Sequence, residues 1–219
     1  VEGERRRLIH ASLTKSLRAF AGTDFAQAVW SRTLPPDFSR SALIEELSEI
    51  RARLPESALR ERMFGAPDFL KKSSARAREW EMSRSALVEA FRGLAGTEFS
   101  PTFTHTDGVA LAIVVSGTAA GFGVDLERSD RKISNAAFAR FFRSEEGVFL
   151  KIPLDHWVLK EACFKAHPRS AETIVADYVV MGVSPAGEFD VLCAKGAPER
   201  FRGVIGSVKE YRYAIATQA

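Results

Sequence analysis

Two stretches carry residue types that could do chemistry together: "GFGVDLE", residues 121–127, and "LDHWVLKEACFKAH", residues 154–167. Along a strand, alternation puts Val124 and Leu126 on one face and Asp125 and Glu127 on the other. Two carboxylates so placed stand about 7 Å apart at the backbone and repel unless solvent or a cation separates them. Read alone, this D-x-E is an exposed strand face meeting water. The second stretch, wound at roughly 100° per residue, spreads Leu154, Trp157, Val158, Leu159, Ala162, Cys163, Phe164 and Ala166 almost all the way round. A helix apolar all round is normally buried, yet Glu161 and Lys165 sit on it one turn apart.

An ionised carboxylate on such a helix is costly unless it is paired or metal-bound. Two readings stay open: an i,i+4 ion pair of Glu161 with Lys165, or a ligand role. Asp125, Glu127 and Glu161 together form the oxygen-rich set that Mg²⁺ prefers, and that ion fills its remaining coordination with water and substrate phosphates. Lys165 would then face the phosphate as a point charge.

A basic helix expected over 69–94 offers phosphate contacts through Arg78 and Arg84, preceded by Lys71, Lys72 and Arg76. The guanidinium fork suits phosphate because it pairs two oxygens at once. The alternative is a solvated basic face interleaved with Glu79 and Glu81. His105, in "FTHTDG", is either a phosphate donor or a structural histidine.

The elements that must position these residues follow from pattern. The first ninety residues read mostly as helix, over 4–22, over 39–54 after a Ser cap, and continuing over 56–64, with 34–38 a turn or linker. Strands are expected over 103–105 and 109–115, joined by the tight turn Asp107-Gly108, and again over 121–127. Helices return over 135–142, 144–150 and 154–167, and the tail reads as three or four antiparallel strands. The class is α+β. The 219 residues, 46% hydrophobic with net charge +3, suit one sizeable domain or two small ones and do not demand nucleic acid. Cys163 and Cys193 read as buried thiols in a reducing compartment. The longest uncharged run is too short for a membrane span, and the start carries no apolar run of secretory length, so a soluble cytoplasmic protein is expected.

The residues also resemble a known family. "GVDLE" followed by "WVLKEACFK" resembles the double motif of the 4′-phosphopantetheinyl transferases, in their larger, two-subdomain class. "FTHTDGVALAIV" is similar to that family's Ser-His-Ser segment, and "REWEMSRSAL" to its basic helix. The resemblance implies two pseudo-twofold-related α+β subdomains, here 1–118 and 119–219, with the site in the cleft between them. It implies Asp125, Glu127 and Glu161 as ligands of Mg²⁺ (or Mn²⁺), Lys165 at the attacked phosphate and Lys160 near the coenzyme A phosphates. Thr104, His105, Arg78 and Arg84 would contact the nucleotide phosphates. Glu146 would accept the proton of the incoming serine, with Glu145 an adjacent competitor.

The activity so implied is transfer of 4′-phosphopantetheine from coenzyme A to a serine of an acyl or peptidyl carrier protein, releasing 3′,5′-ADP, by a monomer. Carrier domains are generally acidic, which suits a mildly basic enzyme with exposed apolar residues near Phe138, Phe141 and Phe142. The chain departs from the family in lacking a Gly/Pro-rich loop before the histidine strand and in its helix-rich first seventy residues. The alternative is therefore a non-catalytic relative that binds coenzyme A or a carrier domain. A nucleic-acid binder using 71–84 would rest on one basic helix, without stacking aromatics on a strand platform.

Overall fold

The structure, a computed structural model, describes residues 25–31, 34–54, 74–95, 99–116 and 121–219. It is α+β, with two antiparallel sheets and, among the described residues, four α-helices. The chain divides into two compact units, one at Thr23–Thr118 and one containing Ala119–Ala219. The helices expected over 4–22 and 56–64, the start of the basic helix with Lys71 and Lys72, and residues 117–120 lie outside the described residues.

In the first unit, strands β1 (Phe25–Ser31), β2 (Phe99–Thr106) and β3 (Val109–Ser116) pair in the order β1-β3-β2. Helix α1 (Arg40–Arg53) is capped by the Ser39 hydroxyl and buries Leu43, Leu47 and Ile50, one stripe at helical spacing. Helix α2 (Ala75–Phe91) is capped by Ser74. The two helices share a core with Ala110, Ala112 and Val114 of β3. The Asp107-Gly108 turn forms as read. Both residues have positive φ, +43° and +71°, as a two-residue type I′ hairpin requires.

Strand β1 corrects the reading of the first ninety residues as mostly helical. The side chains of Val109 to Val115 are all buried, so β3 is a central strand needing ladder partners on both edges. Residues 25–31 supply the second edge, a demand their own periodicity does not reveal.

The second unit is a five-stranded sheet in the order β4-β8-β7-β6-β5. Its strands are β4 (Phe122–Arg128), β5 (Tyr178–Val183), β6 (Glu188–Cys193), β7 (Glu199–Val208) and β8 (Tyr211–Gln218). Helix α4 (Pro153–Ala166) packs Leu154, Val158, Leu159, Ala162, Cys163 and Ala166 into a core with Tyr178, Val191, Phe201, Ala214 and Ala216. A short helix α3 (Asn135–Phe141) precedes it. The helix expected over 144–150 is a 3₁₀ turn, Ser144–Val148. Cys163 and Cys193 are free and buried. Among the described residues, no helix is long and apolar enough to cross a membrane.

Candidate functional site

The corner where β4 meets α4 explains the spacing of both motifs. Asp125 pairs in register with Ala214, Gly123 with Ala216 and Glu127 with Arg212, so these residues share one face of the sheet. Ala214 and Ala216 belong to the core that α4 covers, so this face looks toward the helix. A Cβ at Gly121 would overlap the Ala166 carbonyl oxygen. One at Gly123 would overlap that of Ala162 and stand 2.5 Å from the Ala166 nitrogen. Glycine and alanine therefore let the helix backbone close onto the strand.

That approach puts the acids beneath α4. Asp125 is 4% exposed and Glu127 5%, which corrects the expectation of a solvated strand face. Lys165 Nζ donates to Asp125 Oδ1 at 2.6 Å, a partner that sequence spacing along α4 alone does not reveal. Gly121 lies against Ala166 and Gly123 against Ala162, so α4 runs antiparallel to β4. Four residues of helix, about 6 Å, are close to the two-residue strand step of about 6.6 Å. Stepping back from Lys165 to half-buried Glu161 thus keeps pace with stepping on from Asp125 to Glu127.

Glu127 is paired with Arg131, whose guanidinium lies 5.6 Å from the centre of the Trp157 ring on α4. Arg212, across from Glu127, donates to Asp155 at 2.8 Å. Sequence reading missed Arg131, Asp155, Trp157 as a platform and Arg212. Only the Glu127–Arg131 spacing carried a signal, a weak one outside a helix.

Two residues assigned to chemistry are closed off. Lys160 and Glu146 are both wholly buried. The ammonium donates to Glu146 Oε2 at 2.8 Å and to the Phe141 carbonyl at 2.6 Å. Glu146 also accepts from the Arg143 and Val180 amides, at 2.8 and 2.7 Å. Burial pulls Lys160 below the ordinary lysine value, against Glu146, which raises it. Neighbouring Glu145 is exposed.

Phe141 is buried, and Phe138 and Phe142 stack at 4.3 Å and pack on His156, so these rings serve the interior. Among the described residues, the large apolar side chains exposed in this unit are instead Val148, Phe149, Ile152, Ile174 and Met181.

Buried histidines stand at the two ends of the helix, His156 in its first turn and His167 at its C-cap. His156 Nε2 donates to the Leu150 carbonyl at 2.9 Å, and its Nδ1 has no hydrogen-bond partner. His167 Nδ1 meets the Tyr178 hydroxyl at 2.7 Å, and its other nitrogen stands 3.3 Å from Glu199. Burial lowers both from the ordinary 6.5. The unfolded chain then binds protons that the folded one refuses. Stability held above about pH 6.5 is therefore expected to fall as pH drops through the lowered values. Urea midpoints at pH 7 and pH 5 check this, and equal midpoints would refute it.

In the first unit, Arg78 is exposed and Arg84 is 8% exposed, so six residues of helix separate their faces. The Arg84 guanidinium lies 4.2 Å from the Phe103 ring centre and 5.2 Å from that of Trp80, and it donates to Ser83 at 2.9 Å. Thr104 is buried while His105 is exposed, and strand alternation sends them to opposite faces. The strand therefore does not present both to one ligand from one face.

The donors Asp125, Glu127 and Glu161 are all carboxylate oxygen, the chemistry that Mg²⁺ takes. The set is not preassembled: among the described residues no three His, Cys, Asp or Glu side chains converge to hold a metal ion. Lys165 and Arg131 balance the two strand acids instead. Compared with known protein families and with curated proteins, the chain matches none.

Proposed function

We propose that this protein transfers the 4′-phosphopantetheine group of coenzyme A to a carrier-protein serine. One observation carries the reading: two buried strand acids under an apolar helix whose Lys165 is ion-paired to the first of them. Apolar side chains often fill a core corner as well as a buried ion pair or better, whereas a divalent cation that bridges protein to a polyanion needs carboxylates of this kind. Mg²⁺ held by Asp125, Glu127 and Glu161 would supply charge neutralisation for the diphosphate. The serine oxygen gives its proton to exposed Glu145 and forms a bond to the β-phosphorus, and the bridging bond breaks with its electron pair leaving on 3′,5′-ADP. Lys165 neutralises charge on the attacked phosphate, and the low-dielectric corner strengthens that interaction.

Of the two adjacent acids, only Glu145 is open to an incoming serine. The two-half architecture, the monomeric state, the cytoplasmic location and coenzyme contacts by Arg78, Arg84, Thr104, His105 and Lys160 remain part of this proposal. Lys160 would have to leave Glu146 to take part.

A second reading, a module that binds coenzyme A or a carrier domain without transfer, is favoured by the closed Glu146. Intact mass of an apo carrier protein after incubation with this protein, coenzyme A and Mg²⁺ separates the two. The expected result is a gain of one phosphopantetheine, abolished by EDTA and reduced at least 100-fold (roughly the share of one transition-state contact) in Glu161→Ala. Coenzyme A binding without a mass gain on several carriers would move the assignment to the module.

A further inference from the structure

The segment from α3 through the 3₁₀ turn covers the first two turns of α4, and two nitrogens four residues apart on that helix hold it down. Lys160 Nζ donates to the Phe141 carbonyl at 2.6 Å, and His156 Nε2 donates to the Leu150 carbonyl at 2.9 Å. Both side chains have no exposure. Phe138 and Phe142 pack on the imidazole, with ring centres at 5.7 and 5.2 Å, and Phe141 meets Trp157 at 5.2 Å. A carbonyl can only accept, so His156 carries its proton on Nε2 and presents a bare lone pair at Nδ1. That atom meets no hydrogen-bond partner among the described residues.

A neutral ring suits these surroundings. A second proton would create a buried donor with nothing to receive it, and a desolvated charge besides. The neighbouring charges do not offset that cost. On α4, Lys160 is a second buried cation, and Asp155 is engaged by Arg212 of β8. From the 3₁₀ turn, Glu146 already accepts from Lys160 and from the Arg143 and Val180 amides, and Arg143 adds positive charge. The charged residue of α3, Arg140, is exposed. Burial holds the imidazole below the ordinary 6.5, against the Leu150 bond and Glu146, which raise it. His167 differs. A proton on its Nδ1 still finds the Tyr178 hydroxyl, which can turn to donate to Thr173 Oγ1 at 2.9 Å, while Glu199 faces Nε2. We propose that His156 is an acid-operated catch: when it takes a proton, the cover formed by α3 and the 3₁₀ turn opens from α4 while the five-stranded sheet stays folded. The opening brings Glu146 and Lys160, shut away in the closed form, to solvent, and it does not depend on the transferase reading.

The test is hydrogen exchange read by mass spectrometry at pH 7 and pH 5, corrected for intrinsic rates, on the full chain. Peptides from 138–150 report the cover, and peptides from β7 and β8 report the sheet. A histidine that charges only in the open form, with the ordinary value there, raises the opening equilibrium by up to roughly 25-fold over this interval. Protection of 138–150 is expected to fall toward that factor while β7 and β8 keep theirs. His156→Gln, whose amide can still donate to the Leu150 carbonyl but does not titrate, should abolish the acid response, and His167→Gln should retain it. Equal loss in cover and sheet, no loss in the cover, or a response that survives in His156→Gln would each overturn the proposal. Should the glutamine variant fold poorly, the imidazole resonances of the wild type decide the matter by nuclear magnetic resonance. His156 is expected to charge only as 138–150 loses protection, and charging with the cover still protected would refute the catch.

Discussion

Glu146→Ala is expected to destabilise the second unit by about 3–5 kcal/mol, the usual cost of stranding one charge of a buried pair. That is a large part of the roughly 5–15 kcal/mol by which domains are stable. Its carboxylate ties three elements together: it accepts from Lys160 on α4, from Val180 on β5 and from Arg143 at the start of the 3₁₀ turn. Alanine leaves an ammonium with no exposure and only the Phe141 carbonyl to hold it, and strands the buried Val180 amide and the half-buried Arg143 amide without acceptors. Adding Lys160→Met should recover much of the loss, since apolar replacement of both partners is often neutral or better. Urea denaturation followed by circular dichroism measures both variants. A cost below about 1 kcal/mol, the range of an exposed pair, would show that Glu146 is not the structural keystone these contacts describe. The same experiment bears on function, because a residue this deeply engaged cannot also receive a serine proton without first breaking its pair.

Gly123→Ala is expected to disable the corner itself. Its methyl would occupy the space of the Ala162 carbonyl oxygen, part of the α4 backbone that cannot rotate away as a side chain can. Overpacking of this kind costs typically about 1–3 kcal/mol, and backbone contacts belong at the upper end. Separating β4 from α4 also moves Lys165 off Asp125, so transfer activity, if present, should fall further than stability does. Gly182→Ala is the matched control: a Cβ there meets nothing within 4 Å, and its effect should stay within about 0.5 kcal/mol. Equal behaviour of the two variants would mean that β4 and α4 do not need their close approach.

Much of this molecule was legible in its pattern. The all-round apolar character of 154–167 marked α4 as buried, and Asp107-Gly108 marked the hairpin. Ser39 marked the start of α1, and the tail announced its strands. These are local matters of periodicity, caps and turns, which a sequence carries within a few residues. What it could not carry was which element lies against which. The D-x-E face looked solvated because alternation tells two faces apart without saying which one a helix will cover. Lys165 was weighed against its own helix, whereas tertiary packing set it on Asp125, 40 residues earlier. Strand β1 formed because β3 required a second edge. Glu146 and Lys160 were read as chemistry and lie instead in the interior, each the condition of the other's burial. The sequence alone determined where charge is placed among apolar residues; only the fold decided which charges neutralise one another, because that depends on distances between segments no local pattern encodes.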